Sequence, residues 1–223
     1  MPFPLTHLLV ADELLTRKPR KMEDGAQFLL GSISPDAVHH RKDLPTDMAG
    51  IGPLKKITHL CPVSDERWGQ VTDNKGWIAC AKDFLNKHPG DPFAEGYAIH
   101  VLVDLYNNMT LWNNFRTNHP HEAADGYKSG YYQDLKNIDL RLYQSLPQVS
   151  RIWSLLADAK VCEIPGLVGS EEMQSIQNGI LHNDYKPPLP TPNQDYTFLT
   201  YEEKLTWIQK AADFVESVLP HGG

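Results

Sequence analysis

The chain has 223 residues, 41% hydrophobic and 22% charged, with a formal net charge of -7 and a pI near 5.8. That length holds one sizeable core, and the acidic balance argues against a general nucleic-acid surface, which needs a basic face. Cys61, Cys80 and Cys162 are odd in number with no CxxC pair, so buried thiols in a reducing compartment are expected rather than a disulfide framework. The first residues lack the basic region of a signal peptide, and no segment has the roughly 20 apolar residues of a membrane helix. The expectation is a soluble, cytoplasmic, single domain over 1–223.

Residues 4–15 carry Leu5, Leu8, Leu9, Leu14 and Leu15 at helical spacing behind Pro4. Residues 18–24 are charged and read as loop; 25–40 form a short apolar segment ending in a Ser-Pro-Asp turn. With two prolines, two glycines and many charges, 41–56 reads as exposed loop. The segment 55–61 is brief and broken by Pro62. Helix is expected over 66–87, with Trp68, Val71, Trp77, Ile78 and Phe84 inward, and over 92–112 from the Asp91-Pro92 start. A polar loop follows at 116–130, then helices at 131–145, 148–160 and 170–182. The proline-rich stretch 185–196 suits neither helix nor central strand. Thr200 and Glu203 form a capping box for a last helix to about 218. No sustained period-2 alternation is visible, so the fold is all-α, with long functional loops near 35–60 and 113–130.

Five polar residues stand in apolar surroundings: His7 among leucines, Asp36 after a proline, His59 between Ile57 and Leu60, and His100 with Asp104 in "GYAIHVLVDLY". His100 and Asp104 are four apart and share one helical face. Singly, each has a plain explanation: a hydrogen-bonded core histidine, a cap, or a pair within one helix. Together, three imidazoles and two carboxylates are the donor set that suits zinc, iron or manganese, and nickel can also be held. The absence of a Cys cluster favours a site with open positions over a structural zinc finger.

The ordered motifs "THLLVADELL", "FLLGSISPDAVHHRK", "KKITHL" and "GYAIHVLVD" resemble the zinc-dependent phospholipase C family, in its small bacterial intracellular branch. The resemblance covers residues 4–112; beyond that only helices of similar length correspond. It implies a fold similar to secreted bacterial phospholipase C and the fungal single-strand nucleases. It also implies Asp36, His59, His100 and Asp104 as ligands of one metal, with Asp104 bridging to a second that His7 helps bind. Two features depart from the family. No leader whose removal would free an amine ligand is expected, and no His follows Asp104 in "LYNNMTLWNNF". His119, His121 and Glu122 lack the family's HxxxE spacing, so one or two ions are expected rather than three.

The chemistry such a set supports is hydrolysis of a small-molecule phosphoester by metal-activated water, with Asp36 and Asp104 as the catalytic carboxylates. His39, Arg41 and Lys42 could receive the substrate's charge, and Tyr97, one turn before His100, could bond a ligand or the substrate. Asp139, between Ile138 and Leu140, is a candidate additional ligand; Asp134 is expected on the helix surface. The tryptophans and Tyr131 and Tyr132 read as core rather than an aromatic substrate box. Two alternatives remain: an HD-type phosphohydrolase, opposed by the lack of an adjacent His-Asp pair, and a metal-binding or interaction domain with a decayed hydrolase site. The substrate and the oligomeric state are not legible.

Overall fold

The segment from 92 to 109 is apolar on every side, and a helix of that kind belongs in the middle of a protein. In the computed structural model, which describes residues 2–45, 48–62, 66 and 68–219 (48 and 49 as backbone alone), it does. Asp91 caps it by accepting from the Phe93 amide at 2.9 Å, Pro92 opens it, and fourteen of its eighteen residues are buried. In chain order the helices are α1 (Pro4–Arg17), α2 (Met22–Gly31), α3 (Met48–Thr58), α4 (Asn74–Lys87), α5 (Pro92–Met109), α6 (Leu111–Asn118), α7 (Pro120–Ala124), α8 (Gly130–Ser145), α9 (Gln148–Asp158), α10 (Ser170–Gly179) and α11 (Tyr201–Val218). Helices α1, α2, α4, α6 and α11 all pack against α5. Among the described residues there is no strand, only one isolated bridge between Ile164 and Val168. The all-α expectation holds.

The closest crossing is between α2 and α5. A Cβ placed on Gly31 would stand 2.1 Å from the Phe93 carbonyl oxygen, and one on Gly96 would stand 2.0 Å from that of Phe28. Only glycine lets the two backbones meet. The crossing sets the chain leaving α2, a 3₁₀ turn over Ser34–His40, beside the middle of α5.

Several boundaries differ from those read off the sequence. Helix α2 begins at Met22, inside the charged stretch taken for loop. The expected exposed loop 41–56 contains most of α3, in which Pro53 is internal and Lys55 is buried. Charge was the misleading signal there, because Lys55 is held by an ion pair to Asp36 rather than by water. The expected helix at 66–87 starts only at Asn74, where the Asp73 side chain accepts from the Gly76 amide at 2.8 Å. Val71 reaches the core from the irregular segment before it. The polar loop 116–130 holds the end of α6, α7 behind Pro120, and a 3₁₀ turn at Gly126–Lys128, with Phe115 as its inward anchor. The expected helix 170–182 stops at Gly179 and passes into a π turn over Ile180–Asp184. Positions 46, 47 and 67 of these expectations lie outside the described residues. The Thr200–Glu203 capping box forms as expected.

No helix among the described residues is long and apolar enough to cross a membrane. The three cysteines are unpaired and half-buried rather than buried.

Candidate metal centre

Four elements bring the five polar residues together. His7 comes from α1, Asp36 from the 3₁₀ turn after α2, His59 from the residue after α3, and His100 and Asp104 from successive turns of α5. All three imidazoles are fully buried and Asp104 is 2% exposed. The His7 and His100 rings stack 3.7 Å apart and nearly parallel, 9° off.

Backbone carbonyls orient two of the rings. His100 Nδ1 lies 2.8 Å from the Ser32 carbonyl oxygen, and His59 Nδ1 lies 2.9 Å from that of Lys55. A carbonyl only accepts, so each Nδ1 carries the proton and each Nε2 presents a lone pair. The His59 peptide is itself clamped: the Tyr97 hydroxyl donates to the Thr58 carbonyl, and Trp77 Nε1 donates to the His59 carbonyl at 2.8 Å. The glycine crossing therefore bears directly on the site, since it delivers the Ser32 carbonyl to His100.

The two Nε2 atoms stand 3.3 Å apart, lone pair to lone pair. His59 Nε2 is 3.4 Å from Asp104 Oδ2 and 3.4 Å from Asp36 Oδ1; His100 Nε2 is 3.8 Å from Asp104 Oδ2 and 4.0 Å from Asp36 Oδ2. His7 Nε2 is 3.5 Å from Asp104 Oδ1. Neither oxygen of Asp104 and neither nitrogen of His7 has a hydrogen-bond partner. A buried group left in this way costs about 1–3 kcal/mol. Donor atoms around a tetrahedral zinc, with bonds of about 2.0–2.1 Å, stand about 3.3 Å from one another. The cluster is thus rich in acceptors, poor in donors and spaced for a divalent cation, which these residues fit.

Protonation follows the same environment. Burial holds His59 down to about 3 and His100 down to about 4, and burial with the neighbouring His100 places His7 well below its ordinary value. All three rings are neutral at pH 7, as ligands must be. Burial and then the Asp36 charge raise the Asp104 carboxyl to about 8. Burial would raise Asp36 too, but the Lys55 ammonium overcomes it and holds that carboxyl well below the usual range.

A cleft of about 1090 Å³ reaches Asp104 and is walled by Trp68, Trp112, Arg116, Tyr127 and Tyr132. The expectation that the tryptophans are core is therefore corrected for Trp68 and Trp112, which are half-buried, while Trp77, Trp207, Tyr131 and Tyr132 are buried in the core as expected, Tyr132 also facing the cleft. On the other side a cavity of about 200 Å³ is lined by Asp36, His39, Lys55 and Tyr127.

The remaining candidates lie apart or have other partners. Arg41 pairs with Glu172 on α10 at 2.7 Å and donates to the Leu167 carbonyl, and exposed Lys42 pairs with Glu171. Tyr97 is wholly buried and spent on Thr58, so it supports a ligand's peptide rather than a substrate. Asp139 accepts from the Tyr185 hydroxyl at 2.5 Å and joins neither His/Asp group that could hold a metal among the described residues. Nor do His119, His121 or Glu122 join one. Asp134 is not on the surface: it is 5% exposed and accepts from the amides of Thr197, Phe198 and Leu199 at 2.6–3.2 Å. Sequence reasoning missed Lys55, whose Nζ lies 3.2 Å from Asp36 Oδ1. Its place as the first residue of the "KKITHL" motif was the only signal.

Set against models of known families, curated proteins and solved structures, the chain gives no match. The resemblance to the phospholipase C family thus rests on its ordered motifs.

Proposed function

We propose that the chain is a metal-dependent hydrolase of small phosphoesters, built like the zinc-dependent phospholipase C family, with zinc as the preferred ion and iron, manganese or nickel as alternatives. One observation carries the metal half of this reading: two lone-pair-bearing imidazoles and two carboxyl groups meet at 3.3–4.0 Å. Bound there, a divalent ion supplies Lewis acidity and lowers the pKa of a water toward neutrality. His59 and His100 would hold it through Nε2, Asp36 and Asp104 through carboxylate oxygens, and His7 stands against Asp104 Oδ1. Asp104 opens onto the large cleft, so the reacting phosphoryl group would arrive from that side. Arg116 on the cleft wall supplies a cation to anchor substrate charge. A carboxylate held as low as Asp36 is a poor proton acceptor, which favours a ligand and charge-balancing role for it over general base.

The test is the metal content of purified protein by elemental analysis, with hydrolysis of bis(p-nitrophenyl) phosphate, for wild type, His100→Ala and Asp104→Ala. The expected result is stoichiometric metal and turnover in the wild type, both lost in each variant while helicity by circular dichroism is retained. Full occupancy in either variant sinks the site. Metal without turnover of any phosphoester would leave a binding domain, not an enzyme.

A further inference from the structure

We propose that the second positive charge of this centre is not a metal ion but the ammonium of Lys55, a built-in cation that occupies the position between Asp36 and His39; the inference rests on the metal-centre reading above. The Lys55 side chain is 2% exposed, yet the residue lines the small cavity beside the cluster. It stands 3.2 Å from Asp36 Oδ1 and 3.0 Å from His39 Nε2, with the Trp68 ring face 5.3 Å away. A carboxylate oxygen and an imidazole nitrogen three residues apart in one turn are the donor types that would otherwise hold a metal. Here hydrogen-bond distances replace coordination distances, because an N–H lies along each contact. The Asp36 carboxylate at hydrogen-bond distance is the counter-ion of this buried ammonium. Lys55 in turn donates to His39 Nε2, which leaves that ring neutral with its proton on Nδ1.

The opposite face of Asp36 completes the argument. Oδ1 is turned to Lys55 and His59, while Oδ2 faces His100. The carboxylate therefore bridges two cation positions, one lined by histidines and one filled by the ammonium. The two His/Asp groups that could hold an ion, His7–Asp36–His100 and His59–His100–Asp104, do not amount to two sites. Both use His100, whose Nδ1 is committed to Ser32, and one lone pair serves one ion. With a single divalent ion, Asp36 and Asp104 cancel its charge, and Lys55 leaves the centre at about +1, a fixed attraction for an anionic phosphoryl group.

Zinc titration of the stripped full chain, followed by desalting and elemental analysis, tests this with the metal alone as probe. Wild type should retain one equivalent, and His39→Ala, a change at an exposed side chain that spares the cluster, should also retain one. Lys55→Glu, which puts a third anionic or neutral ligand beside Asp36 and His39 where the ammonium was, should rise to two, with helicity checked by circular dichroism. Two equivalents in wild type, one of them lost in His39→Ala, would overturn the inference and leave the metal centre standing. One equivalent in a folded Lys55→Glu would overturn it as well. No zinc in wild type would remove the metal centre itself, and the inference with it.

Discussion

Gly96→Ala sets two forces of opposite sign against each other. In a helix interior, alanine is better than glycine by about 1 kcal/mol, so propensity alone predicts stabilisation. The added Cβ, however, would lie 2.0 Å from the Phe28 carbonyl oxygen and 3.0 Å from the Ser32 nitrogen. Both atoms are backbone, so no side chain can swing away and the helices themselves must part. Overpacking of this kind costs about 1–3 kcal/mol, and a clash with backbone belongs at the upper end. The net expectation is destabilisation by about 2 kcal/mol, read as a lower urea midpoint at unchanged slope for metal-free protein. Gly25→Ala is the control: its nearest neighbour would be Leu15 Cδ1 at 3.9 Å, ordinary contact, so stability should rise by up to about 1 kcal/mol. Since the crossing also delivers the Ser32 carbonyl to His100, Gly96→Ala should weaken zinc binding and Gly25→Ala should not. A Gly96→Ala protein as stable as wild type would refute the account of how α2 and α5 meet.

Three further outcomes are expected. Asp104 titrates near 8 in the folded chain, above its unfolded value, so it binds more protons folded than unfolded and its contribution to stability is lost as pH rises toward 8. Metal-free Asp104→Asn should therefore be more stable than wild type at pH 8 by urea melts, with the gap closing as pH falls toward about 4; a gap that widens on acidification would contradict the assignment. Asp134→Ala strips the acceptor from three amides that lead into α11, and should cost about 3 kcal/mol or more in urea unfolding; a loss under about 1 kcal/mol would mean water replaces it. Zinc at a hundredfold excess over its Kd should stabilise wild type by about 2.7 kcal/mol, seen as a rise in Tm. His100→Ala should show no such rise.

The sequence was most informative where apolar pattern and polar exception coincide. His100 and Asp104 share a face because they are four apart on a helix whose other residues leave no doubt about its burial. His7 was legible for the same reason. The clustering of His7, Asp36 and His59 with them depended on long-range packing, so the sequence offered only their shared donor chemistry and the order of the motifs. Lys55 was lost because a charge among glycines and prolines reads as solvent-exposed, and its carboxylate partner lies nineteen residues earlier in the chain. Asp134 was misplaced by the same rule, since three backbone amides from beyond the proline-rich stretch replace water around it. Gly31 and Gly96 could have been found: a glycine inside an apolar helix sacrifices propensity, and a close backbone approach is the usual compensation.

Burial ties these features to chemistry. An exposed histidine trio would hold protons near pH 6 and compete with any metal for them. With His59 near 3 and His100 near 4, a cation meets free lone pairs throughout the neutral range. Only Asp104, near 8, has a proton to give up when an ion arrives. Binding around pH 7 should then release about one proton, far fewer than the ligand count suggests. The same burial that makes the empty acceptors costly to the fold keeps them ready for the ion, and the clamped peptides around His59 and Ser32 hold them at the required spacing.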